Sequence, residues 1–244
     1  MTYRPTAFPR AIVYGPHLSW RIGRSLGIDL LGSGEKMCSF DCVYCELGPG
    51  RLHVSRRREF VPLAGLKEAL SRVEGRDFDY LTFSGSGEPT LASNLGAAIL
   101  MAKEMLGKPV AVLTNSSEMP RDDVRRELGA ADLVVAKIDA PNDVLYRAIN
   151  RPWVTTPISD ITGAVKFFKS QYRGKLALQM MFTETNKTAA GEMAEIARDI
   201  AADGVQLCTP IRRCAVSALS PADMSVVKAA FAGVKGVRMV YDAR

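Results

Sequence analysis

Three cysteines fall within one short run of this chain, Cys38-Ser39-Phe40-Asp41-Cys42-Val43-Tyr44-Cys45. The Cys-x3-Cys-x2-Cys spacing supplies three thiolates from a single loop, so the fold must present that loop whole on a rigid frame. A cubic iron–sulfur cluster held this way has three irons bound by protein and a fourth left open for chemistry; a fourth cysteine would close it as an electron carrier. The aromatic Tyr44, just before the third cysteine, is placed to pack against a flat ligand beside the cluster. Two plainer readings compete. A structural zinc would need a histidine as fourth ligand, but His17 and His53 lack the short fixed spacing of zinc ribbons and fingers. Free cysteines are also commonly buried as small hydrophobes.

The rest of the chain alternates short apolar strands with amphipathic helices. Strands are expected at Gly27–Leu31, Tyr80–Ser84, Val110–Thr114, Leu133–Ile138, Leu176–Phe182 and Val205–Cys208, continuous apolar runs of the kind covered on both faces. Leu63, Leu66, Leu70 and Val73 share one helical face, as do Ile158, Ile161, Val165 and Phe168, and again Met193, Ile196 and Ile200. Repeated strand–helix units imply parallel strands with right-handed crossovers. Six strands are too few to close an eight-stranded barrel, which leaves an α/β fold: a partial (β/α)6 barrel of parallel strands. Val237–Tyr241 is a further edge-strand candidate. No linker or repeat breaks the chain, so residues 1–244 are expected to form a single domain.

Charge and cysteine usage narrow the setting. The net charge is +6, and residues 1–58 hold nine Lys and Arg against four Asp and Glu, nearly the whole surplus. Arg21, Arg24 and Lys36 can offset a negatively charged cluster; Arg56-Arg57-Arg58 is the best candidate for contact with an acidic or nucleic-acid partner, although such runs are usually solvated faces. No apolar run reaches the roughly 18 residues of a membrane span, and no signal-peptide pattern opens the chain. Five cysteines, an odd number with three clustered, suit a reducing compartment, so a cytoplasmic protein is expected.

Several motifs together carry a resemblance to a known family. The cysteine run, Tyr14-Gly15-Pro16, Gly23-Arg24-Ser25-Leu26-Gly27, Cys42 through Gly48, and Thr82-Phe83-Ser84-Gly85-Ser86-Gly87-Glu88-Pro89-Thr90-Leu91 resemble the radical S-adenosylmethionine (SAM) superfamily. Within it they look like the branch of iron–sulfur oxidoreductases related to the wyosine-forming tRNA enzymes, over about Ile12 to Arg212. The resemblance implies the partial, TIM-barrel-like fold already expected. It also implies a 4Fe-4S cluster on Cys38, Cys42 and Cys45, and a flavodoxin- or ferredoxin-like reductant. Reductive cleavage of SAM then gives a 5′-deoxyadenosyl radical that abstracts hydrogen from a substrate. A tRNA guanosine derivative is the substrate this branch suggests. A protein or peptide substrate is the alternative, and an iron–sulfur or zinc-stabilised nucleic-acid-binding module the non-enzymatic one.

Loops after parallel strands share one face, where ligands bind. That gathers the cysteine loop, Ser84-Gly85-Ser86-Gly87-Glu88, Asn115, Lys137, Asp139 and Gln179. By resemblance the glycine-rich element holds the SAM amino group, with Tyr44, Asn115 and Asp139 at the adenosine or carboxylate. Lys137 stands where the branch more often carries serine; it either pairs with the SAM carboxylate or braces Asp139. Gln179, polar within an apolar run, is read as facing nucleoside or substrate. Arg147 and Arg151 are spaced to grip a carboxylate or phosphate or to brace a helix end. Cys208 ends the sixth strand where relatives carry asparagine, and Cys214 follows. Two thiols cannot complete a second cubane, so these are buried thiols, or in the case of Cys208 a substrate-side group.

Overall fold

The computed structural model describes residues 11–50, 52–54 and 56–242. Arg4, Arg10 and Arg51, part of the basic surplus, lie outside them. The strands are β1 (Val13–Ser19), β2 (Gly23–Ile28), β3 (Met37–Cys38), β4 (Leu52–His53), β5 (Tyr80–Phe83), β6 (Val110–Thr114), β7 (Leu133–Lys137), β8 (Lys175–Met181), β9 (Gly204–Cys208) and β10 (Val237–Met239). The helices are α1 (Leu63–Ser71), α2 (Leu95–Leu106), α3 (Asp122–Leu128), α4 (Asp143–Asn150), α5 (Ile158–Gln171), α6 (Ala190–Ile200) and α7 (Pro221–Ala230). Eight strands form one open sheet in the order β1-β2-β5-β6-β7-β8-β9-β10, with β3 and β4 as a small separate ribbon.

The six expected parallel strands are present and adjacent, and β10 extends them in parallel at one edge. Helices following the strands close the outer face, giving the α/β partial barrel. Alternation along the strands sorts the side chains. Leu26, Ile28, Leu81, Phe83, Val112, Val134, Leu178 and Leu207 join the large core under the helices, packed on Leu66, Leu95, Val124, Phe168, Met193 and Met224. The concave face carries smaller or polar groups, with Ala111, Leu133, Val135 and Ala177 toward its base.

Two details differ from expectation. The first strand of the parallel set runs Gly23–Ile28, earlier than Gly27–Leu31, and its other neighbour is the unexpected antiparallel β1. Sequence VYGPHLS hides that strand because Pro16 and His17 break its pattern. Pro16 is tolerated because β1 is an edge strand, and the pairing register slips between Tyr14 and His17. The second difference is α4, which leaves the large core. Its Tyr146 packs with Phe40, Ala140, Ile158 and Ile161 against Cys38 and Cys42, edge-on to the Phe40 ring at 5.4 Å. One helix of the fold is thus given over to the cysteine loop.

Candidate active site

The cysteine loop lies at the carboxyl ends of the parallel strands, pinned on two sides. On one side, Asp41 and Val43 donate backbone N–H bonds of 3.0 and 2.9 Å to the carbonyls of Asn150 and Ile149. These are among the last carbonyls of α4, which have no partner within a helix, so the loop caps the helix that supports it. On the other side, Met37 donates to the Ser86 carbonyl (2.8 Å) and accepts from Glu88 N–H (3.0 Å), stitching the loop to the glycine-rich element. A Cβ on Gly87 would lie 1.5 Å from the Met37 carbonyl oxygen, and Gly85 sits at φ +132°. Both positions require glycine.

The three cysteines are half-buried, with polar hydrogens directed at two of their sulfurs. Asn115 Nδ2 and Phe40 N–H approach Cys38 Sγ at 3.4 and 3.5 Å, and Asn150 Nδ2 approaches Cys42 Sγ at 3.4 Å. A buried ammonium, Lys36 Nζ, bonds Asp41 Oδ1 at 2.7 Å and the Gly48 carbonyl at 3.1 Å, closing the far end of the loop. Burial alone would raise the Asp41 carboxyl, but the Lys36 ammonium and the Gly50 N–H hold it below its ordinary value. Burial pushes the thiol of Cys38 far up and that of Cys42 to about 11, reinforced at Cys38 by Cys42 and at Cys42 by Asp139. Such thiols ionise only when a metal supplies positive charge. Among the described residues no three His, Cys, Asp or Glu side chains form a set around a single metal ion. A cubane asks for something else, separate thiolates with hydrogen bonds to sulfur, and such bonds reach Cys38 and Cys42 here.

Asp139, Tyr44 and Asn150 form a buried triangle beside Cys42. The Tyr44 hydroxyl donates to Asp139 Oδ2, Asn150 Nδ2 donates to the same oxygen at 2.7 Å, and Met181 N–H donates to Oδ1 at 2.8 Å. Lys137 Nζ lies 4.7 Å from the centre of the Tyr44 ring, 3.9 Å from Asp139 and 3.2 Å from Gln179 Oε1. The structure therefore brings Tyr44, Asn115, Lys137, Asp139 and Gln179 to the cysteine loop.

Several of the expected site residues also have partners within the protein. Glu88 accepts from Thr90 N–H and hydroxyl, the Thr114 hydroxyl and Asn115 N–H, at 2.6–3.0 Å, and is 2% exposed. Its carboxylate is consumed in holding the loops after β5 and β6 together, while burial raises its pKa against those bonds. Ser86 gives its hydroxyl and N–H to Asp29, and Ser84 meets the Tyr14 hydroxyl at 2.9 Å. Arg147 and Arg151 are exposed at the end of α4. The residue of that motif which reaches the site is Asn150, missed by the sequence reading; the available signal was an amide on the same helical face as Tyr146. Within Arg56-Arg57-Arg58, the outer two are exposed but the middle one is not free. Arg57 is buried, with bonds to Asp123 (2.6 Å), Glu127 and the carbonyls of Thr90 (2.7 Å) and Ala92 (3.1 Å). Cys208 is buried on β9, 3.7 Å from an Arg21 guanidinium nitrogen, and Cys214 lies beyond it in the following loop.

Comparison with known proteins agrees with this geometry. Residues 36–201 match the Radical SAM superfamily. The UPF0026 protein slr1464 of Synechocystis sp. is 38% identical over 208 residues, spanning 85% of this chain and 77% of that protein. Among solved structures, TYW1 with a lysine-pyruvate adduct bound superposes with a TM-score of 0.65 at 14% identity, over 86% of this chain and 74% of that one. SuiB of Streptococcus suis bound to S-adenosylmethionine gives 0.66 at 12% identity, over 84% of this chain and 48% of that one. The same enzyme has also been solved with its precursor peptide SuiA.

Proposed function

The chain belongs to the radical SAM superfamily, and from that premise we propose that Cys38, Cys42 and Cys45 hold a 4Fe-4S cluster whose open iron takes SAM. When bound, these groups supply one-electron cleavage of the SAM sulfonium and abstraction of a hydrogen atom from substrate. The observation that carries the reading is the loop itself: three thiols, two side-chain amides directed at sulfur, and a buried ammonium, at the carboxyl ends of a parallel sheet.

The surrounding residues divide the work. Asn115, Lys137, Gln179 and the Gly85–Gly87 backbone are positioned to contact SAM, and Tyr44 to pack beside it. Glu88 and Asp139, whose oxygens are engaged by the protein, are positioning residues for the loops that make those contacts. No helix among the described residues is long and apolar enough to cross a membrane. A flavodoxin- or ferredoxin-like protein is the electron donor in this proposal.

The resemblance to wyosine-forming enzymes makes a tRNA guanosine derivative the first substrate to assay. A peptide is second, because SuiB shares the fold and binds its precursor peptide. Anaerobic reconstitution followed by iron and sulfide analysis, then incubation with SAM and dithionite, tests the proposal. Close to four irons per chain and 5′-deoxyadenosine are expected. Full SAM cleavage by an iron-free protein would refute it.

A further inference from the structure

The concave face carries a polar row that starts at the cluster loop and continues beyond it. Strand register places Lys137, Gln179 and Gln206 side by side on β7, β8 and β9, with Arg238 next on β10. Cys208, two residues beyond Gln206, points to the same face. The row begins at Lys137 beneath the Tyr44 ring and runs away from it, reaching Gln206 after two strand spacings, about 10 Å. There it meets a residue from across the sheet: Arg21, in the β1–β2 turn, extends to Cys208 Sγ at 3.7 Å.

Two polar atoms at that end have no partner among the described residues. Arg21 Nε and Gln206 Oε1 are both inaccessible to solvent and make no hydrogen bond, and the Gln206 residue is 9% exposed. Leaving a buried donor or acceptor unsatisfied is costly, so two of them on one interior wall mark a place where something else completes the bonding. Among the described residues no carboxylate pairs with Arg21. Its guanidinium is held by the Trp20 ring at 4.8 Å and by the Cys208 sulfur, contacts that orient it without neutralising it. Arg238 adds a second, exposed positive charge on the same face at the sheet edge.

We propose that Arg21, Gln206 and Cys208 form the acid-recognition subsite for the substrate. Arg21 takes a carboxylate or phosphate group through its Nε–H and Nη–H fork, the geometry that suits planar oxyanions. Gln206 Oε1 accepts an N–H or O–H beside that group. The inference rests on the radical SAM reading only in calling the ligand a substrate, since no residue of the subsite belongs to the cysteine loop. It narrows the substrate class to molecules carrying an acid group with a hydrogen-bond donor next to it.

Isothermal titration of the wild-type, cluster-loaded protein with inorganic phosphate, acetate and neutral acetamide tests the subsite. Saturable binding of an oxyanion is expected, with acetamide silent. Preference for phosphate or acetate distinguishes a phosphate ester from a carboxylate. Arg21→Gln should weaken that binding about tenfold to a hundredfold, the loss of a charge-assisted hydrogen-bond pair; Arg21→Lys, which keeps charge but not the fork, should fall between. Absence of oxyanion binding in the wild type, or equal affinity in Arg21→Lys, overturns the proposal. So does competition between SAM and the oxyanion, which would assign the site to the SAM carboxylate. Iron content and 5′-deoxyadenosine formation in the wild type report on the cluster reading separately, so either idea can fail alone.

Discussion

Asp139→Ala removes the acceptor on which three buried donors converge. Asn150 Nδ2 loses least, because it also donates to the Tyr44 oxygen at 3.0 Å and the Cys42 sulfur at 3.4 Å. Met181 N–H has no second partner, and the Tyr44 hydroxyl keeps only the weaker sulfur acceptor of Cys42. One stranded donor and one left with a weak acceptor, at up to about 1–3 kcal/mol each, give a range of roughly 1–6 kcal/mol. Water entering the vacated space recovers part of this, so a loss of about 3 kcal/mol is expected. For a chain of this size that is a fall of about 6–12 °C in Tm. Asp139→Asn keeps an acceptor for Met181 and should lose less than half as much. Thermal unfolding of the iron-free protein isolates the effect from cluster binding. In the reconstituted protein the same variant should retain less iron, since Tyr44 and Asn150 flank Cys42 and Cys45. A Tm within about 2 °C of the parent would show that Asp139 does not hold the loop. Equal losses in the alanine and asparagine variants would assign its role to charge instead.

Other outcomes follow from the same geometry. Cys38→Ala, Cys42→Ala and Cys45→Ala should each abolish SAM cleavage, whereas Cys208→Ala and Cys214→Ala should leave iron content unchanged; iron loss in either of the last two would mean a ligand outside the loop. Arg57→Met should destabilise the fold by about 2–3 kcal/mol, below the 3–5 kcal/mol typical of breaking a fully buried pair, because water reaches Asp123 and Glu127; urea midpoints measure this. The same variant should leave the salt dependence of RNA binding unaltered, and a slope shallower by about one unit would restore Arg57 as a phosphate contact. Asp123 is held down to about 2, first by its hydrogen bond to Arg121, with burial opposing and Arg57 assisting. Its ordinary value is 3.8, so the stability it contributes is present above that pH and is lost as pH falls through about 2. Asp123→Asn should flatten acid unfolding between pH 4 and pH 2, by a small amount because the side chain is 39% exposed.

The frame of this molecule was legible wherever local pattern and tertiary role coincide. Runs such as Val110–Thr114 and Leu133–Ile138 read as strands because β-branched and aliphatic residues sit on both faces of a covered sheet. Strand β1 was not legible, since an edge strand does not need the periodicity that makes interior strands visible. At the site, the cysteines and glycines declared themselves because their chemistry is rare and their spacing short. Arg57 and Asn150 did not, because what they do is decided by partners supplied from distant parts of the chain. Arg57 is 66 residues from Asp123, and Asn150 is 108 from Cys42. Gln206 was as visible as Gln179, a polar residue in an apolar run. Only the β8–β9 register shows that the two stand together facing the open side of the sheet.

Because the loop amides of Asp41 and Val43 close the end of α4, helix fraying and loop opening are a single event. Neither can proceed without stranding the other's hydrogen bonds, so the two form one cooperative opening unit. Under the proposed ligation, release of a bound cluster would then be timed by a local unfolding step rather than by exchange of thiolates at an exposed rim. Slowed amide hydrogen exchange at the end of α4 on cluster loading would be its signature. That protection would report cluster occupancy from a segment containing no cluster ligand.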